Sequence, residues 1–109
     1  MAVFFLRQHD TAPAIQAVLS DERGRIDLTA ATEVRFTMWT SAAIKVNRIL
    51  ATINDAKGAL VSYSWASRDT DTAGSYNCEW EILWNNGTQQ TVPSDMNDTV
   101  EILADGDQI

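Results

Sequence analysis

From Tyr76 to Trp84 the chain sets the large side chains Tyr76, Cys78, Trp80, Ile82 and Trp84 against Asn77, Glu79 and Glu81 at the positions between. Successive side chains of a β-strand point to opposite faces, so this spacing places every large residue on one side. The segment reads as a central strand with one buried face. Val34, Phe36 and Met38, interleaved with Arg35 and Thr37, repeat the pattern, and Val61, Tyr63 and Trp65 do so again after the turn-forming Asn54-Asp55-Ala56-Lys57-Gly58.

Shorter extended segments fill the remaining chain. Asn85-Asn86-Gly87 supplies residues that tolerate positive φ, and the Thr, Gln and Val positions after it read as the return strand of a hairpin ending at Pro93. Val3 to Gln8 reads as a first strand, Thr99 to Leu103 as a last one, and Ile44 to Ile53 as one or two more, while Asp21 to Arg25 is a turn. Thr11 to Leu19 fits either a helix opened by Pro13 or a strand. Strand is preferred, because Ile15, Ala17 and Leu19 then share a face. About seven to nine short strands imply an antiparallel β-sandwich, and its 109 residues form a single domain, 1–109.

Charge narrows the partners. Eight Lys and Arg against fifteen Asp and Glu leave a net charge of −7, which opposes attraction to phosphate and to anionic membranes, so neither nucleic acid nor membrane is expected as a partner. Met1 to Arg7 is apolar but too short for a signal-peptide core, and no stretch has the length of a membrane span. Synthesis in the cytoplasm is the expectation. The triplets Asn86-Gly87-Thr88 and Asn97-Asp98-Thr99 match a glycan acceptor that matters only in secreted eukaryotic proteins.

The catalytic inventory is thin. His9 beside Asp10 suggests half of an acid–base pair that nothing else completes, and the lone Cys78 has no partner for an internal disulfide and falls at a core position. Asp69-Thr70-Asp71-Thr72-Ala73-Gly74 opens like a calcium loop, but Ala73 takes a ligand position and Trp80 stands where the closing Glu belongs. These aspartates therefore read as solvated corner carboxylates. No enzyme activity, cofactor or metal is expected.

The contact residues follow from phase. Trp65, Trp80 and Trp84 fall on core positions, whereas Trp39 is out of step with Val34, Phe36 and Met38 and becomes a candidate contact. The apolar N-terminal segment Val3 to Leu6, with Val3, Phe4 and Leu6 singled out, and Ile44 and Val46 of the Thr40 to Val46 stretch are the other candidate interface residues. A sugar-binding module is an alternative that requires at least two exposed Trp or Tyr on one face.

Two resemblances sharpen the expectation. Asp71-Thr72-Ala73-Gly74-Ser75-Tyr76-Asn77-Cys78 resembles the segment of immunoglobulin-type domains in which a Tyr two residues before Cys closes a corner through its hydroxyl, which implies an immunoglobulin-like β-sandwich. The order of motifs along the chain resembles the N-terminal β-sandwich domain of upper baseplate proteins of tailed bacteriophages. The residues that carry it are Phe5 to Pro13, Leu19-Ser20-Asp21 with Gly24, Ile26 to Thr32 leading into Val34 to Met38, Tyr63-Ser64-Trp65, Asp69 to Tyr76, Glu79-Trp80-Glu81, Asn86-Gly87 and Thr91-Val92-Pro93. This resemblance implies a noncatalytic virion structural protein, present in several copies in a symmetric tail, baseplate or connector assembly with other virion proteins as partners. Capsid decoration is the alternative placement.

Overall fold

The computed structural model describes residues 3–92 and 99–104, so Pro93, expected to end the hairpin strand, lies outside the described residues. Eleven strands follow in order: β1 (Val3–Arg7), β2 (Ile15–Val18), β3 (Ser20–Asp21), β4 (Gly24–Arg25), β5 (Ala31–Trp39), β6 (Ile44–Leu50), β7 (Thr52–Asp55), β8 (Leu60–Tyr63), β9 (Gly74–Trp84), β10 (Gln89–Val92) and β11 (Thr99–Leu103). A single 3-10 turn, Ser67–Thr70, precedes β9, and no helix among the described residues is long and apolar enough to cross a membrane. The protein is all-β.

Six strands form the larger sheet, in the order β1-β11-β9-β5-β6, with β10 also paired to β9. Because β5 runs along one edge of β9 from Asn77 to Trp84, β11 (at Gly74 to Asn77) and β10 (at Trp80 to Leu83) share the opposite edge, one after the other. Strands β2, β8 and β7 make a smaller antiparallel sheet, and β3 and β4 form a separate two-residue ribbon. Asp21 accepts the Arg23 N–H at 2.9 Å within the ribbon's turn.

Two expectations need correction. The strand count is eleven and not seven to nine, because the Asp21 to Arg25 turn is flanked by its own short ribbon and the Ile44 to Ile53 stretch is divided between two sheets. Ala51 still donates to Val34 O of β5 at 2.8 Å, and from Thr52 the chain pairs with β8 instead. Nor is the pairing wholly antiparallel, since β1 lies parallel to β11 from Val3↔Thr99 to Arg7↔Leu103. Parallel neighbours need a long crossover, and nearly the whole chain separates these two.

The alternation along β5 and β9 holds, with Trp84 at the end of β9 half-buried against the core. Val34, Phe36 and Met38 of β5 and Tyr76, Cys78, Trp80 and Ile82 of β9 are all buried, and Ile15, Ala17 and Leu19 join them from the segment that could have been helical. Phe36 joins the two sheets. Its ring stacks on Tyr63 of β8 at 4.8 Å, meets Trp65 edge-on at 5.8 Å and lies 4.7 Å from Trp80 of its own sheet. Such ring pairs add to the burial of their area. The Trp65 indole N–H donates to Pro13 O at 3.0 Å, whereas that of Trp80 is buried without a partner among the described residues.

Candidate functional site

Residues directly opposite one another on paired strands point to the same face, so the register defines what the larger sheet presents on its outward side. Ile44 of β6 faces Trp39 of β5, Trp39 faces Asn77 of β9, Asn77 faces Thr99 of β11, and Thr99 faces Val3 of β1. A single row thus crosses the sheet from edge to edge. It brings together three of the six candidate contact residues: Ile44 is 60% exposed, Val3 40%, and Trp39 is half-buried between them.

The other three separate from it. Leu6 and Val46 are buried in the core, so neither belongs to a surface of the folded chain. Val46 lies opposite Met38 on the inward face, and a register irregularity between Met38 and Trp39 turns Ile44 outward two residues earlier. Bulges of this kind re-aim a side chain in a way that a sequence of apolar residues does not reveal. Phe4 also points inward, half-buried with its ring 6.0 Å from that of Trp65. Its neighbour Phe5, also within the Val3 to Leu6 stretch, faces outward and is 57% exposed. Val3 to Leu6 is apolar at every position, so no alternation marks which residues face out.

Further along the same face the surface is charged. Arg35 pairs with Glu33 at 2.6 Å, and Arg48, at φ 54°, pairs with Glu81 at 2.6 Å across the β5–β6 bulge. Leu50, 63% exposed, lies opposite Arg35. The outward face therefore carries Ile44, Trp39 and Val3 in one row and ion pairs further along.

Between the Thr40 to Lys45 hairpin and the chain before β9 is a cleft of about 310 Å³, walled by Thr40, Ala43, Lys45, Thr72, Gly74 and Tyr76. The Lys45 ammonium is committed to Asp71, and that hydrogen bond, with a second from Thr72, holds the Asp71 carboxyl below its ordinary range. Tyr76 donates its hydroxyl to Thr72 O at 2.7 Å, closing the corner that the immunoglobulin resemblance implies. Burial raises the Tyr76 hydroxyl's pKa.

Asp69 is not a solvated corner carboxylate. It is buried, and one of its oxygens accepts the Tyr63 hydroxyl at 2.6 Å and the Ala66 N–H at 2.8 Å. A carboxylate three residues beyond Ala66 can fold back on the turn that carries it, and the aromatic core supplies the hydroxyl. Asp71, two residues on, is exposed as expected. His9 is exposed at φ 70° with its backbone N–H bonded to Thr70 O at 2.9 Å, and the Asp10 carboxylate accepts the Arg7 N–H at 3.2 Å. The pair organises the exit from β1. Among the described residues no three His, Cys, Asp or Glu side chains converge as metal ligands would.

Aromatic platforms for sugar are also missing from the described surface. Trp65, Trp80, Tyr63 and Tyr76 are buried and Trp84 packs against the core, which leaves Trp39 as the one Trp or Tyr on the outward face. Compared with known proteins, the chain matches no family model and no curated protein, and nothing in those comparisons links it to phage baseplate proteins.

Proposed function

We propose that this chain is a noncatalytic docking module, an immunoglobulin-like β-sandwich that seats in a repetitive protein assembly through the outward face of its larger sheet. The observation that carries this reading is the row Ile44, Trp39, Asn77, Thr99 and Val3, apolar at both ends, with Trp39 beside Ile44 and the polar Asn77 and Thr99 between Trp39 and Val3. Protein interfaces are enriched in aromatic residues, and Trp is among the residue types that most often dominate their binding energy. The sandwich assignment draws on the two sheets sharing one core, the parallel pairing of the first and last strands, and the Tyr76 hydroxyl bond to Thr72.

The assembly is proposed to be a tailed-phage virion, at its tail, baseplate or connector, with other virion proteins as partners. That placement rests on the order of motifs in the sequence alone. Labelling parent particles with an antibody to this chain, viewed by negative-stain microscopy, tests it. Label at the tail tip or neck is the expected result, label spread over the head moves the module to capsid decoration, and unlabelled particles overturn the virion reading.

A further inference from the structure

Beyond the sheet's face, its β1 edge carries a pattern of hydrogen-bonding groups that matches itself. Gln8 donates its backbone N–H to Leu103 O at 2.8 Å, which sets the parity of the parallel pair: even-numbered residues of β1 turn their backbone groups to β11 and odd-numbered ones turn theirs to the open side. Val3, Phe5 and Arg7 are the odd ones. Asp10 already occupies Arg7, its carboxylate accepting the Arg7 N–H at 3.2 Å and its own N–H donating to Arg7 O at 3.1 Å. Among the described residues, the open donors and acceptors of the edge are those of Val3 and Phe5.

Natural sheets guard their edges with charges, bulges, short strands or prolines. Strand β6 has two register irregularities, with Lys45 and Arg48 along it, and β7 is irregular and ends on Asn54 and Asp55. Strands β2 and β10 are four residues each, and β10 is Gln-Gln-Thr-Val. Only β1, among the described edges, combines an unbroken register with exposed apolar side chains, Val3 and Phe5.

We propose that β1 pairs antiparallel with β1 of a second copy of this chain about a two-fold axis at Phe4. Of the possible registers this one sets each open residue against an open residue, Val3 against Phe5 of the copy and Phe5 against Val3, while leaving both Asp10 caps in place. Opposed residues of a hydrogen-bonded antiparallel pair exchange two bonds, so the two pairs use all the open groups of the described edge. On the outward face each Val3 side chain lies beside the copy's Phe5, a β-branched and aromatic cross-strand pair that stabilises sheets. The Arg7 residues, six positions apart along the axis, are separated by roughly 20 Å, beyond the screening length of about 10 Å at 0.1 M salt. The patch is isologous and closes on itself.

The contact is small and each copy carries a net charge of −7, so association is weak and strengthens with salt. Disulfide trapping reads such a contact in the full chain. Because the native Cys78 is buried, Val3→Cys and Phe5→Cys provide the accessible thiols. Mixing the two variants under mild oxidant is expected to yield a cross-linked heterodimer several-fold in excess of the dimer formed by either alone. Phe5→Cys alone cross-linking as well as the mixture, or no cross-link at all, overturns the proposal. Analytical ultracentrifugation at rising concentration is the second reading: weight-average mass should climb from 12.1 kDa towards twice that value in the unmodified chain. It should stay monomeric in Phe5→Lys, with Val3→Lys as a substitute should that variant melt early. A monomer throughout, or a dimer that survives the lysine, refutes it.

Discussion

Strands β5 and β9 present two faces built from alternate residues of the same backbone, and the two faces follow different rules. On the inward side Val34, Phe36, Met38, Tyr76, Cys78, Trp80 and Ile82 are all buried, and their rings reach across to β8. On the outward side Glu33, Arg35, Thr37, Trp39 and Glu81 are half-buried, and the exposed Asn77 lies among them. The inward face is constrained by close packing, where the loss of a ring leaves a cavity. The outward face is constrained only by its neighbours in the row, so it is free to carry a docking surface without weakening the fold.

That contrast is most directly broken at Phe36. Phe36→Ala should cost about 3–5 kcal/mol in urea unfolding, since the ring joins both sheets and its removal empties the core. A loss below about 1 kcal/mol would mean that the sheets do not depend on this contact.

Next in size is the buried bond between Tyr63 and Asp69. Tyr63→Phe leaves the Asp69 oxygen with Ala66 N–H alone and should cost about 1–3 kcal/mol. Burial, reinforced by the Asp69 carboxylate, raises the Tyr63 hydroxyl far above its ordinary value of 10.0. Above that value the unfolded chain loses its proton while the folded one keeps it, so stability is full below about pH 10 and declines as pH rises further. Thermal melts between neutral pH and pH 11 should show this decline in the unmodified chain and a shallower one in Tyr63→Phe. Equal slopes would remove the bond from the account.

On the outward face the effects should be smaller and of another kind. Arg48→Ala breaks the pair with Glu81 and should change stability by about 1 kcal/mol or less, as partly exposed ion pairs do. Trp39→Ala should leave the melting transition of the isolated chain nearly unchanged and, under the proposed docking role, weaken incorporation into the particle, measured by co-sedimentation. A large loss of stability from Trp39→Ala would place that ring in the core and dissolve the distinction between the faces.

Much of this was legible from residues alone. Two of the alternating segments became the long strands β5 and β9 in the expected phase, the third became the four-residue β8 with Val61, Tyr63 and, beyond the strand, Trp65 buried, and Ile15, Ala17 and Leu19 share a buried side as a strand requires. The outward row of the larger sheet was legible in part. Trp39 and Ile44 emerged from phase and composition, but Val46 and Leu6 were placed on the wrong side, because a bulge at the β5–β6 pairing and the unbroken apolar run Val3 to Leu6 both erase the period-two signal. Asp69 was misread for a different reason: a carboxylate in a polar run gives no sign that a tyrosine six residues earlier will reach it.

Local pattern determined where the chain is extended and which side of each long strand is buried, since alternation follows from backbone geometry and needs no partner. Partner choice was decided in three dimensions. The parallel seat of β1 beside β11, the crossing from one sheet to the other at Ala51, and the assembly of Ile44, Trp39 and Val3 into one row all join residues far apart in sequence. Such pairings depend on which edges and faces remain open once the core has closed, and no single segment contains that information.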